Sequence, residues 1–337
     1  MKFYISHLRN LATFGVILLH STSAFLYEYN KISIASWTTA NFIDSFSRFC
    51  VPVFVMISGA LLLGSKDSLF HFLNKRIKRI LIPFIFWSVI YFLWRIYWEN
   101  ISLEKEHLME FLKISIRKGS SYHLWYLYMI IGLYFFIPIV KPWIQNANKK
   151  EIKFFLLLWM VTLILPLFTA SYFPQIELIY FSKYVGYLIL GYYLDRYIII
   201  NSKSTWLSVL CIIVGGMFTF MFTQLSSVEN NKFISLYYNY DTINVALLST
   251  GIFVLGKKMQ FSHNRIMTSL DKNSFGIYFI HPILLALFIY LIPYSSFQDS
   301  IHTTIIYIVF CAMLIFFISF ILISLSSKIP VVKRLIQ

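Results

Sequence analysis

Arg9 and His20 stand eleven residues apart in one apolar run, RNLATFGVILLH. On a helix that spacing is about three turns, so both side chains share a face, about 16 Å apart along the axis. An imidazole can take a proton from a hydroxyl, or be acylated itself, so one-step and two-step group transfer are both open. A guanidinium can hold a phosphate through its planar fork. The plainer alternative is a histidine bonded between helices and an arginine reaching out to lipid headgroups. Ionisable groups inside a span are costly, which favours a functional role.

Four further groups could carry chemistry. KRIKR at 75–79 sets Arg76 and Arg79 three apart on one helix face, a pattern suited to phosphates or simply to an inner membrane surface. In SFGIYFIH at 274–281, Ser274, Tyr278 and His281 fall on one stripe, and Pro282 follows. That proline frees a backbone carbonyl and bends a helix; the stripe can equally be packing glue. Asp44 and Arg48 have the i,i+4 spacing of an ion pair. His123 and Trp125 lie in YHLWYLY, an aromatic cluster suited to an interfacial belt or to a sugar face. Cys50, Cys211 and Cys311 are far apart in apolar runs, so neither a disulfide framework nor a metal site is expected. Phosphate-binding loops, serine-hydrolase elbows, zinc-protease motifs and glycosidase carboxylates are missing from the sequence.

The elements that must position these residues are membrane helices. Of 337 residues, 58% are hydrophobic and 13% charged, and the mean hydropathy is +0.71. A soluble domain carries about twice that charged share. The net charge of +15 sits in short clusters between apolar runs, which argues for membrane orientation rather than nucleic-acid binding. Ten segments have roughly the length of a crossing: 4–27, 42–64, 80–98, 122–140, 154–171, 181–200, 205–223, 241–256, 274–293 and 303–326. With the N-terminus inside, inner segments hold 20 of the 29 Lys and Arg but only 4 of the 14 Asp and Glu. Both termini are therefore expected in the cytoplasm. The first segment is expected to be a retained span rather than a cleaved leader. The 99–121 connection is expected to carry a surface helix on the Leu103, His107, Glu110 and Ile114 spacing. The fold class expected is an all-α polytopic membrane bundle of about ten helices, with residues 1–337 one integral membrane domain.

In order along the chain, RNLATFGVILLH, VPVFVMISGALLL after Arg48, RIKRILIP, HLWYLYMIIGLYFFIPIVKPW and SFGIYFIHP resemble the motifs of acyltransferase family 3, the multi-span acyltransferases of cell-surface glycans. The resemblance implies acyl transfer from cytoplasmic acyl-CoA, commonly acetyl-CoA, to a sugar hydroxyl handled on the outer side. It implies that His20 is the catalytic histidine and that Arg9, Arg76 and Arg79 serve the donor. Candidate acceptor contacts are Asp44, Arg48, His123, Trp125, Tyr278 and His281. No permanently bound cofactor and no metal are expected. Many relatives append an extracytoplasmic hydrolase-like domain; none is expected here, which implies direct transfer or a separate helper protein.

The leading expectation is therefore a membrane O-acyltransferase, most simply an O-acetyltransferase, of a surface polysaccharide or its lipid-linked precursor. It would sit in the cell membrane, with acyl-CoA, a glycan and lipid as partners and a glycan-synthesis complex as a further one. The rival is an exporter of polysaccharide units, which predicts paired half-repeats and broken helices at mid-membrane. A non-catalytic scaffold is a third reading.

Overall fold

The structure is a computed structural model, and it describes residues 2–164, 183–259 and 264–336. Among these residues it is all-helical, with no strand. The helices are α1 (Phe3–Leu26), α2 (Ile34–Ser47), α3 (Cys50–Leu62), α4 (Leu69–Trp98), α5 (Lys105–Lys118), α6 (Trp125–Asn146), α7 (Lys149–Ile164), α8 (Tyr184–Tyr197), α9 (Ser202–Glu229), α10 (Ile243–Lys258), α11 (Arg265–Leu291), α12 (Ile301–Ser326) and α13 (Pro330–Ile336).

Six stretches among the described residues are long and apolar enough to cross a membrane: Ile34–Leu62, His71–Trp98, Trp125–Asn146, Ser202–Glu229, Arg265–Leu291 and Ile301–Ser326. Each of the ten expected segments falls at least partly on a helix, yet the described helices do not yield ten full spans. α7, α8 and α10 run 16, 14 and 16 residues, short of the roughly 20 that a crossing takes. The end of the expected 154–171 segment and the start of 181–200 lie outside the described residues. α1 is long enough, but it turns polar residues inward: Ser6, Asn10, Thr13, Ser21 and Thr22 are all buried.

The expected 42–64 segment proves to be two helices. Pro52 has no N–H to give the Arg48 carbonyl, and the helix breaks at Arg48 and Phe49 before α3 begins. The expected surface helix is present as α5, ended by Gly119 at φ +92°.

The residues group into two compact units. One comprises Met1–Ser65 and Trp143–Ile321, the other Lys66–Pro142 and Leu322–Gln337. In the first, a core of Ile17, Phe25, Trp37, Ile277, Tyr307 and Ile308 knits α1, α2, α11 and α12 together. The buried Trp37 indole donates to the Leu26 carbonyl at 3.0 Å. α3 and α8 cross backbone to backbone: a Cβ on Gly59 would stand 1.8 Å from the Leu188 carbonyl oxygen, and one on Gly191 2.1 Å from that of Met56. Apolar side chains gain nothing by leaving lipid for each other, so close contact through small residues binds such helices. At one end of this unit the Lys257 ammonium caps α8, donating to the carbonyls of Leu194, Asp195 and Ile198 at 2.7–3.0 Å. In the second unit, Phe72 of α4 meets Tyr134 of α6, Phe92 of α4 stacks on Phe111 of α5, and α13 packs on α4.

Candidate functional site

Both residues of the opening pair face α11. Arg9 forms an ion pair with Asp271, whose other oxygen accepts from Ser6 at 2.8 Å. The Asn10 amide donates to the Met267 carbonyl at 3.0 Å. Further along, the His20 ring stacks on that of His281, with centroids 5.4 Å apart and planes 21° from parallel. Numbers rise together on the two helices, so α1 and α11 run parallel. The spacing of Arg9 and His20 is thus matched by Asp271 and His281 on the neighbouring helix.

The YFIHP stretch fixes the second imidazole. Pro282 lies inside α11 and supplies no N–H to the carbonyl four residues earlier, that of Tyr278. His281 Nδ1 lies 2.7 Å from this same carbonyl oxygen. A carbonyl only accepts, so Nδ1 carries the proton and Nε2 is the basic nitrogen. Imidazole nitrogens donate and accept in the ring plane, and the two rings lie within 21° of parallel. Ser274 of the same stripe donates to the Asp271 carbonyl at 2.8 Å.

Asp44 and Arg48 are paired as their spacing indicates, with the carboxylate in the interior of the unit. Asp44 is wholly buried. One oxygen accepts from Thr22 of α1 at 2.7 Å, and the other takes both Nε and an Nη of Arg48. The guanidinium carbon lies 4.0 Å from the centre of the Tyr238 ring, and the Tyr238 hydroxyl is anchored on Asn41 Oδ1 at 2.6 Å. A cation over an aromatic face is favourable, more so when water is excluded. Arg48 also ends α2, where a positive charge suits the helix dipole.

These elements set one depth. Thr22 meets Asp44, and Gly15 faces Phe49 and Cys50, so α1 runs antiparallel to α2 and α3. His20 lies between those two levels. A helical side chain leans toward the N-terminus of its own helix, which carries the Arg48 head from its backbone level up to that of Asp44, beside the His20 level. Its charge is within electrostatic reach of His20.

The structure thus gathers Arg9, His20, Asp44, Arg48, Tyr278 and His281 in one unit. Arg76, Arg79, His123 and Trp125 belong to the other. There the Nε of Arg76 is buried with no hydrogen-bond partner among the described residues, whereas Arg79 is exposed. His123 is buried, with Nδ1 3.0 Å from Ser121 Oγ and its ring 4.9 Å from that of Tyr91. Sequence reasoning missed Asp271, Thr22 and Tyr238. Asp271 lies just before an expected span and reads as a loop charge, and Tyr238 reads as part of an outer loop.

Comparison with known proteins places this arrangement. Residues 2–324 match the family described as an acyltransferase domain. The proteins named "Probable poly-beta-1,6-N-acetyl-D-glucosamine export protein" in Staphylococcus aureus strains MSSA476, MW2 and N315 are each 23% identical over 320 residues, covering 89% of this chain and 86% of theirs. No solved structure matches the chain. With the family match spanning nearly the whole length and a histidine pair where the first and late motifs meet, the chain belongs to acyltransferase family 3 and is a membrane acyltransferase by family.

Proposed function

We propose that the protein transfers an acyl group, most simply acetyl, from acyl-CoA to a hydroxyl of a cell-surface polysaccharide or its lipid-linked precursor. The observation that carries this reading is the stacking of His20 on His281 at 5.4 Å, with the fixed Arg48 cation at the same depth. A base and a preorganised positive charge together are what acyl transfer to a hydroxyl needs. His20 takes the proton of the acceptor hydroxyl as its oxygen attacks the thioester. His281, its tautomer set by Tyr278, offers Nε2 to orient the acceptor. Arg9, Arg76 and Arg79 are the proposed ligands of the donor's phosphates; the buried Nε of Arg76 suits an anionic oxygen. Asp44, Tyr278, His123 and Trp125 remain proposed acceptor contacts. We further propose that it lies in the cell membrane with about ten spans and both termini cytoplasmic, alongside a glycan-synthesis complex, a reading supported by the distribution of Lys and Arg between the apolar runs.

Membranes holding the protein, given labelled acetyl-CoA and a β-1,6-linked N-acetylglucosamine oligomer, are expected to yield labelled ester. His20→Ala should lower that rate about 10²–10⁴-fold at equal protein level. Wild-type rates from His20→Ala would remove His20 from the chemistry.

The name of the staphylococcal relatives favours a second reading, export of a glycan chain. An exporter needs neither base nor donor. It would move unmodified glycan at full rate with His20→Ala, and coenzyme A would not raise its melting temperature in detergent.

A further inference from the structure

The buried Asp44–Arg48 pair is more elaborate than charge neutralisation requires. A guanidinium has five N–H donors. Asp44 occupies the Nε side through a single oxygen, and Tyr238 covers one face. Among the described residues, nothing else accepts from Arg48. The side chain keeps 15% exposure while its partner carboxylate keeps 1%. Asp44 is held in turn by Thr22, two residues beyond His20 on α1. The Nη1 amine is thus a donor on a guanidinium held by Asp44 and Tyr238, without an acceptor among the described residues, and set at the depth of the histidine pair.

Resting on the acyl-transfer reading, we infer that Arg48 is the oxyanion-binding group of the reaction: its Nη1 N–H groups receive the acyl oxygen when that oxygen becomes negative. The acceptor hydroxyl oxygen forms a bond to the thioester carbon as His20 removes its proton. The carbonyl π electrons move onto oxygen, and Arg48 holds that charge. Collapse re-forms the C=O bond and breaks the C–S bond. The departing thiolate takes the proton from His20, leaving ester and coenzyme A thiol. Asp44 and Tyr238 act through Arg48 and are positioning residues. Such a donor works because it is already oriented before charge develops.

The rival explanation is that Arg48 exists to neutralise Asp44. The two differ in what happens when both charges go. Arg48→Met alone leaves a buried carboxylate uncompensated and can unfold the chain. Asp44→Asn with Arg48→Met removes both charges and keeps an oxygen for the Thr22 hydroxyl. The full-length wild type, this double variant and Arg48→Lys would be compared in membranes with labelled acetyl-CoA and the same oligomer. The double variant is expected to melt near the wild-type temperature, to keep its KM for acetyl-CoA within about threefold, and to lose about 10²–10³-fold in kcat. Arg48→Lys, with a point charge in place of the fork, should lose kcat to a lesser degree. A double variant folded and active within about threefold of wild type overturns the assignment, because one oxyanion donor is worth far more. So does a loss confined to KM for either substrate. A wild type that turns over no acetyl-CoA overturns the donor reading first, and the assignment with it.

Discussion

At the scale of single residues, the site rests on groups whose partners fix their chemical form. The clearest is His281, whose Nδ1–H serves the carbonyl to which Pro282 has no N–H to give. His281→Phe should remove that hydrogen bond and cost about 1–3 kcal/mol. Pro282→Ala restores a backbone N–H to the same oxygen, so in that background the histidine should matter less. A double-mutant cycle by thermal unfolding in detergent should give a coupling of about 1 kcal/mol; additive effects would mean that the two do not share the Tyr278 carbonyl. The sequence made part of this visible. A proline after a histidine announces a freed carbonyl, but which donor reaches it depends on a rotamer. The Arg9–Asp271 pair left no such trace, because its members are 262 residues apart and Asp271 resembles the charges around it.

At the scale of helices, the hydropathy pattern revealed where helices form and less about how they end. Runs of about 20 apolar residues are helices because only internally bonded backbone is tolerated in lipid. Pro52 was in plain view, yet a break at Arg48 follows only if neighbours hold the turn, as Tyr238 and Asp44 hold the Arg48 side chain here. Short helices such as α8 are set by packing, to which hydropathy is blind. Gly59 shows the size of that packing effect. Gly59→Ala or Gly191→Ala forces a Cβ into a facing carbonyl and should destabilise by at least about 1–3 kcal/mol. Gly132 of α6 has nothing within 4 Å of such a Cβ. Gly132→Ala should leave the melting temperature equal or raise it, by about 1 kcal/mol of helix propensity at most. Equal losses at Gly59 and Gly132 would refute the close crossing of α3 and α8.

At the scale of the whole molecule, charge distribution predicts orientation. In intact cells, a cysteine at Asn231, between α9 and α10, should react with a membrane-impermeant maleimide. One at Lys203, at the start of α9, should react only after permeabilisation. The reverse pattern would invert the topology and put the Arg9 end outside. The parallel pairing of α1 with α11 carries a consequence for biosynthesis. α1 brings an arginine and a histidine whose counterparts are translated much later, Asp271 lying 262 residues beyond Arg9. Until then α1 sits in the insertion machinery with an uncompensated charge, and a chain cut short before residue 271 can never neutralise it. Copies truncated before residue 271 are therefore expected to carry an unpaired Arg9 in α1 and to be degraded faster than the full chain, which a pulse-chase comparison of the two would measure.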